Sequence, residues 1–222
     1  MPTYGLGRNV EHDPLSRNFP APIDVPVKTV LWVHKAPVLD QGNLGSCTGN
    51  ALAQCLNTEN FAAVRAAHHG GQFLTEGDAV SLYSQATRLD NAPGHYPPDD
   101  TGSSGLAVCK AGKKQGYLSS YNHAFGLDHL LAALQLQPVI VGTAWYDAMM
   151  TPSRYGYVTP KGSVAGGHEY LCLGCDVKKK RLTFLNSWSD TWGLNGRFYI
   201  TFVNFDKLLA DQGDVTVPVA AA

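Results

Sequence analysis

Three residues in this 222-residue chain are of the types, and stand in the contexts, that acyl-transfer chemistry requires. Cys47 closes the stretch Gln41-Gly42-Asn43-Leu44-Gly45-Ser46-Cys47, a polar segment with two glycines that runs into residues with helical periodicity. The first turn of a helix carries unpaired N–H groups and a partial positive charge. Both favour a thiolate over a thiol, and the thiolate is the nucleophile. The Cys47 N–H at that tip can point at a developing oxyanion, and Gln41 can bring a side-chain amide donor to the same place.

A thiol needs a base, and the base needs a group to orient it. Gly166-Gly167-His168 sets a histidine at the start of a predicted strand, beside two residues with no side chain to block access. Asn186 follows 18 residues later, at the end of the next β-prone run. Two neighbouring antiparallel strands would bring it beside His168, where its side-chain oxygen is expected to accept the Nδ1 proton and leave Nε2 for the sulfur. A lone histidine usually packs in a core, but the glycines before this one and the Asn186 segment after it point to catalysis.

At these residues a family resemblance emerges. Gln41-Gly42…Gly45-Ser46-Cys47, Gly167-His168 and Asn186-Ser187-Trp188-Ser189-Asp190-Thr191-Trp192-Gly193 resemble, in order, the three signature blocks of papain-like cysteine peptidases. The likeness runs from about Leu31 to Phe205. In that family the His and Asn follow the Cys by about 130–150 residues; here the separations are 121 and 139, slightly short for the histidine. Leu44 stands where plant and lysosomal members have a disulfide cysteine, which agrees with a reducing compartment. Leu44, Thr48, Tyr83…Arg88 and Asp100–Ser104 look closest to the bacterial and viral branch. Ser189 replaces a usual glycine without removing a catalytic atom.

The resemblance implies an α+β, papain-like fold, with a helical left subdomain, an antiparallel β-barrel-like right subdomain and the active-site cleft between them. It implies a cysteine endopeptidase acting on peptide or protein substrates through a thioester acyl-enzyme, with no cofactor and no metal. Gln41 would supply the oxyanion hole, Cys47 the nucleophile, His168 the base and then the acid, and Asn186 its orienter. Trp188 would shield the His168–Asn186 bond, while Trp192 reads as core packing. Gly102, Ser103 and Ser104 would form one wall of the cleft and pair with substrate backbone. Gly166, Gly167 and Glu169 would lie near the main specificity pocket, where Glu169 either favours a basic side chain at P2, the second residue before the scissile bond, or points to solvent. The alternatives are an acyltransferase, transpeptidase or amidase with the same triad, or a non-enzymatic binding module on the same fold. The second is disfavoured because Gln41, Cys47, His168 and Asn186 are all present.

The elements that must position these residues can be read from periodicity. Residues 1–30, with Pro2, Pro14, Pro20, Pro22 and Pro26, read as an extended arm that drapes over the cleft as a short inhibitory segment. Residues 31–222 form the main domain, about 31–125 mainly helical and about 126–222 mainly strand. Val30–Val33 and Pro37–Leu39 read as short extended segments. One helix is expected from Cys47 to His68-His69, closed by Gly70-Gly71. Others are expected near Ala79–Leu89, from Ser103 or Ser104 to Gly116, and along the stripe Leu127, Leu130, Leu131, Leu134. Strands are expected at Val139–Trp145, His168–Cys175, Arg181–Leu185 and Arg197–Phe202.

Composition narrows the class. Net charge is −1, and the four-residue basic run Lys178–Arg181 suits a solvated turn better than a phosphate-binding face. No stretch approaches the roughly 20 apolar residues of a membrane span, and no apolar leader segment is visible. The expectation is a cytoplasmic protein of bacterial or viral type, monomeric by preference, with neither nucleic acid nor membrane as partner. Five cysteines cannot close a disulfide framework. Cys172 and Cys175, a C-x-x-C in an apolar run, read as small buried hydrophobes that face opposite sides of a strand.

Overall fold

The structure is a computed structural model that describes residues 4–221. Of the proline-rich arm, residues 1–3, Pro2 among them, lie outside the described residues. Six α-helices are formed: α1 (Cys47–Leu56), α2 (Ala62–His68), α3 (Glu76–Ala86), α4 (Gly105–Lys114), α5 (Leu127–Ala133) and α6 (Phe202–Ala210). Seven strands are β1 (Val30–Leu31), β2 (Leu118–His123), β3 (Val139–Tyr146), β4 (Val164–Asp176), β5 (Arg181–Leu185), β6 (Arg197–Thr201) and β7 (Asp214–Ala220). They make one antiparallel sheet in the order β2-β7-β3-β4-β5-β6, with β1 paired to β4. The class is α+β.

Both faces of the sheet are buried, and strand alternation sorts the side chains between them. Ile140, Leu171, Leu173 and Leu185 face the helices and join Leu52, Leu56, Leu82 and Val108 in one core. Val139, Val141, Tyr170 and Cys172, one residue out of step, join a second core with Trp145, Phe184, Phe198, Trp188 and Trp192. Leu130 on α5, Leu134 just after it, and Phe205 and Leu208 on α6 join that second core, and α6 buries only those two residues, one turn apart, as an amphipathic helix does.

Several expectations need correction. The long helix expected from Cys47 to His68 is broken at Asn57, after which a 3₁₀ turn (Glu59–Phe61) leads into α2. The break is built from polar side chains. Asn57 exchanges hydrogen bonds with Leu74, accepting from its N–H at 2.8 Å and donating to its carbonyl at 2.9 Å. The buried Arg65 guanidinium donates to the Leu56 carbonyl, which α1 leaves open at its end, and to the Thr58 carbonyl, which also accepts from Phe61 N. Periodicity sees the apolar residues on both sides and not these caps. The strand expected through Phe202 stops at Thr201, whose hydroxyl accepts from Asn204 N and caps α6. Val30–Val33 contracts to β1, and Pro37–Leu39 belongs to no strand. The arm, expected to be extended, contains a 3₁₀ turn at Pro14–Asn18, started by the Asp13 carboxylate on Leu15 N. Cys172 and Cys175 are both buried, as expected, but they share one core instead of facing opposite sides. The β4–β5 register shifts between Cys172 and Gly174, and that extra residue turns Cys175 back to the same face. All five cysteines are free. Among the described residues, no helix is long and apolar enough to cross a membrane.

All ten residues of α1 are buried, because it is wedged between α3 and the sheet. Gly49 permits this. A Cβ there would run into the Ala79 carbonyl and lie 2.9 Å from both Cβ and N of Tyr83 on α3. Gly49→Ala is therefore expected to lower stability by about 1–3 kcal/mol in urea denaturation. Gly77→Ala on the same α3, where the nearest atom is 3.6 Å away, should be neutral or gain about 0.5–1 kcal/mol. Equal effects of the two substitutions would contradict this packing.

Candidate active site

The site is assembled where the tip of α1 meets β4. Cys47 is the first residue of α1 and is fully buried. Backbone N–H groups of Glu169, Gly7 and Thr48 lie near its sulfur and favour the thiolate, though less than burial disfavours it. The loop before it is tied down by Asp100, whose carboxylate accepts from Gly45 N at 2.9 Å and from the Tyr83 hydroxyl. That hydroxyl in turn accepts from Gly102 N at 2.9 Å. One phenol on α3 thus joins the nucleophile loop to the opposite wall.

His168 lies within β4, opposite Thr143 on β3, and is fully buried. Leu171 pairs with Leu185, which brings the end of β5 beside His168. Asn186 follows immediately, and its Oδ1 accepts from His168 Nε2 at 2.7 Å and from Ser187 N at 2.8 Å. This corrects the expected tautomer. Asn186 takes the Nε2 proton, not that of Nδ1, and Nδ1 is the nitrogen left without a hydrogen-bond partner. The ring enters from a strand, not a helix, and the strand register decides which edge meets Asn186; sequence spacing does not encode that. Gln54 on α1 donates to the Asn186 carbonyl at 3.3 Å, tying the nucleophile helix to the orienter.

Aromatic rings enclose the imidazole. Trp188 stacks on it at 4.7 Å and 25°, and Trp145 meets it edge-on at 4.9 Å. Trp192 packs in the core, its indole N–H on the Met150 carbonyl. Burial pulls His168 down to about 4, with the Asn186 bond opposing. Burial pushes the Cys47 thiol up to about 12, and the Glu169 charge adds to that. In this state the pair is thiol and neutral imidazole.

Gln41 is fixed by Ser187, whose hydroxyl donates to its Oε1 at 2.6 Å. Its Nε2 therefore faces the loop and the cleft, donating to the Leu44 carbonyl at 2.8 Å and to the Gly5 carbonyl at 3.2 Å. Gly5 belongs to the N-terminal arm, which lies in the cleft. Gly5 N donates to the Gly42 carbonyl and Arg8 N to the Gly167 carbonyl. Ser103 pairs with Arg8 as a parallel bridge, Ser103 N donating to Gly7 O at 2.8 Å and Asn9 N to Ser103 O at 2.6 Å. Leu6 covers Gly166, and Tyr4 stacks on Trp188 at 4.4 Å. The glycines are needed, since a methyl at Gly5 would strike the Leu44 carbonyl and one at Gly7 the Gly45 carbonyl.

The remaining sequence-predicted residues take varied parts. Gly102, at φ +67°, and Ser103 form a wall that pairs with a backbone. Ser104 caps α4, accepting from Ala107 N at 3.0 Å, and its hydroxyl also meets Glu11. Glu169 is fully buried beside Arg8, and neither carboxylate oxygen has a hydrogen-bond partner. Sequence reasoning did not find Trp145, Tyr4, Arg8 or Asp214, whose carboxylate holds the Arg8 guanidinium. The one available signal was Gly5-x-Gly7 in the arm, a spacing that lets a backbone lie flat on a wall.

Comparison with known proteins identifies the fold. No family model matches the chain. Xylellain, a cysteine protease from Xylella fastidiosa, superposes with a TM-score of 0.79 at 20% identity, covering 100% of this chain and 98% of that one. Procathepsin L2 from the larval midgut of Tenebrio molitor gives 0.64 at 19% identity, covering 97% and 78%. A peptidase C1-like protein of Acanthamoeba polyphaga mimivirus is 23% identical over 218 residues; the match spans 78% of this chain and 66% of the relative, just under two thirds of its length. The fold is that of papain-like cysteine proteases.

Because His168 is neutral when folded, protonation favours the unfolded chain between about pH 6.5 and its folded value near 4. Its contribution to stability, on the order of 3 kcal/mol, is complete above pH 6.5 and is lost as pH falls through about 4. In an NMR titration of the full chain, the His168 imidazole should keep neutral-form shifts, with the proton on Nε2, down to about pH 4. A midpoint near 6.5 would contradict the buried, arm-covered site.

Proposed function

We propose that this chain is a cysteine endopeptidase and that its N-terminal arm keeps the active site latent. The observation that supports the reading best is a peptide carbonyl, that of Gly5, held 3.2 Å from Gln41 Nε2, with Gln41 itself tied through Ser187 to the segment of the His168–Asn186 pair. A substrate carbonyl held in the same place would have its oxygen toward the Gln41 amide and the Cys47 N–H, as an oxyanion hole requires.

The chemistry is acyl transfer. The Cys47 proton passes to His168 Nδ1 as the sulfur attacks the carbonyl carbon, and the oxygen takes up the negative charge. The intermediate collapses, the C–N bond breaks, and His168 gives its proton to the leaving amine. Water then attacks the thioester, its proton going to His168, and collapse of that intermediate releases the acid and returns the thiol. Asn186 keeps Nε2–H occupied throughout, so that Nδ1 is the nitrogen turned to the sulfur.

The arm is bound like a peptide but does not offer itself for cleavage. At the Cys47 sulfur the arm presents the Gly7 N–H. Burial beneath the arm also holds the thiol protonated and the imidazole neutral, so catalysis requires the arm to leave.

Cys47→Ala should abolish hydrolysis of a mixed peptide library while leaving the fold intact; residual cleavage by that variant would end the assignment. Asn186→Ala should lose less, because it orients and does not react. For the arm, Gly7→Ala places a methyl on the Gly45 carbonyl and should raise the initial hydrolysis rate about tenfold. An unchanged rate would show that the arm does not restrain the enzyme.

A further inference from the structure

Gly45, two residues before the nucleophile, and Gly102, on the opposite wall, are the jaws of a slot one backbone thick. The arm shows its width. A Cβ at Gly7 would strike the Gly45 carbonyl, and one at Gly102 would strike the Gly7 carbonyl. Ser103 N, next to Gly102, donates to that same Gly7 oxygen at 2.8 Å. A strip of backbone is therefore gripped between the nucleophile loop on one side and the wall on the other.

No disulfide fixes the spacing of the jaws, since all five cysteines are free and Leu44, beside Gly45, offers no thiol. One hydrogen-bonded chain spans them instead. Gly45 N donates to Asp100 Oδ2 at 2.9 Å, the Tyr83 hydroxyl donates to Asp100 Oδ1, and Gly102 N donates to the Tyr83 oxygen at 2.9 Å. The direction of the chain is set by its ends, both of them N–H donors, so the phenol must keep its proton to reach Asp100. Burial, and after it the Asp100 carboxylate, push the Tyr83 pKa up and hold that proton in place. The hydroxyl has little room to drift, because Tyr83 is fully buried and its Cβ faces Gly49 of α1. Gly45 must be bare for the carboxylate to come this close, as a Cβ there would lie 2.8 Å from Asp100 Oδ1. A separate bond, from Ser103 Oγ to Asp90 Oδ2 at 2.6 Å, ties the wall to the segment after α3 and not to the loop. The sequence marks Tyr83 and Asp100 in separate segments, and only the packing of α3 joins them.

We infer that Tyr83 and Asp100 are positioning residues for the substrate: they set the width of this slot, and so govern how well a peptide backbone is held across the nucleophile loop. This rests on the peptidase reading above and adds residues that serve the same site without touching the reacting atoms. A substrate long enough to lie in the slot depends on them, and one too short to reach Ser103 does not.

The test compares two substrates on the full-length chain. One is a peptide nitroanilide with several residues before the scissile bond. The other is nitrophenyl acetate, whose two-carbon acyl group is too short to span from the sulfur to Ser103. Both need the arm displaced, so the displaced fraction multiplies both kcat/KM values and cancels in their ratio. In Tyr83→Phe, which leaves the buried Gly102 N–H without this partner, the peptide-to-acetate ratio should fall about tenfold. The acetate value itself should rise, because the arm is gripped by the same slot; a general loss of structure would lower it. Asp100→Ala should act in the same sense as Tyr83→Phe. Asp100→Asn, whose side-chain oxygen can still accept from Gly45 N, should recover part of the ratio. Iodoacetamide labelling of Cys47, read by intact mass, needs no turnover and should be faster in Tyr83→Phe and Asp100→Ala than in the parent chain. A ratio unchanged in both of those variants overturns the clamp and leaves the peptidase reading standing. Faster labelling in them, while no form of the chain cleaves the peptide, upholds the clamp and overturns the peptidase reading.

Discussion

The seating of α1 against β4 governs everything else at the site. A helix whose ten residues are all buried has no freedom to slide, so the tip that carries Cys47 is held against the backbone at Glu169. Gly49 lets α3 close on one side of α1, and Gln54 ties the other side to Asn186. The nucleophile is thus positioned by packing, and the base by strand pairing, and neither depends on the mobility of a long side chain. Preorganisation of this kind is what keeps reacting groups close to productive geometry without a reorganisation cost at the moment of reaction.

The same burial has an electrostatic consequence. A sulfur and an imidazole removed from water both favour their neutral forms, and here the covering material is the chain's own N-terminus. Four features of the arm match four features of the cleft. Gly5 offers a carbonyl to Gln41, Gly7 brings an N–H near the sulfur, Arg8 meets the Asp214 carboxylate, and Tyr4 stacks on Trp188. An apolar plug would have covered the site equally well. A strip of backbone with one cation uses the hydrogen-bonding groups that a peptide would use, so whatever displaces it must resemble it.

Much of this was legible in the residues. Cys47, His168, Asn186 and Gln41 stand in segments whose turn chemistry and order mark them; of these, His168 is bonded to Asn186, and Gln41 to Ser187 beside it. The helix from Ser104, the stripe Leu127–Leu134 and the strand Arg181–Leu185 follow from local caps and alternation. What was not legible depends on long-range register. β2 and β7 carry weak strand patterns and exist because they pair with each other and with β3. Asp214 acquires its role only from lying opposite Gly142. The imidazole nitrogen that meets Asn186 is set by the β4–β5 offset, and the shared facing of Cys172 and Cys175 by a bulge in the same pair. The break at Asn57 escaped because its caps come from Leu74 and Arg65, distant in sequence or masked by periodicity.

All five thiols are free and buried, but only Cys47 stands at a helix tip with the arm, through Gly7, against its sulfur. Reaction of the full-length chain with an epoxide inhibitor of the E-64 type, followed by intact mass and peptide mapping, therefore tests the central claim directly. One adduct per chain, on Cys47, with faster labelling once Arg8 is replaced by Ala, is the result expected of a nucleophile at a helix tip beneath a removable arm. No adduct in the arm-loosened chain, or adducts spread over Cys55, Cys109, Cys172 and Cys175, would contradict it.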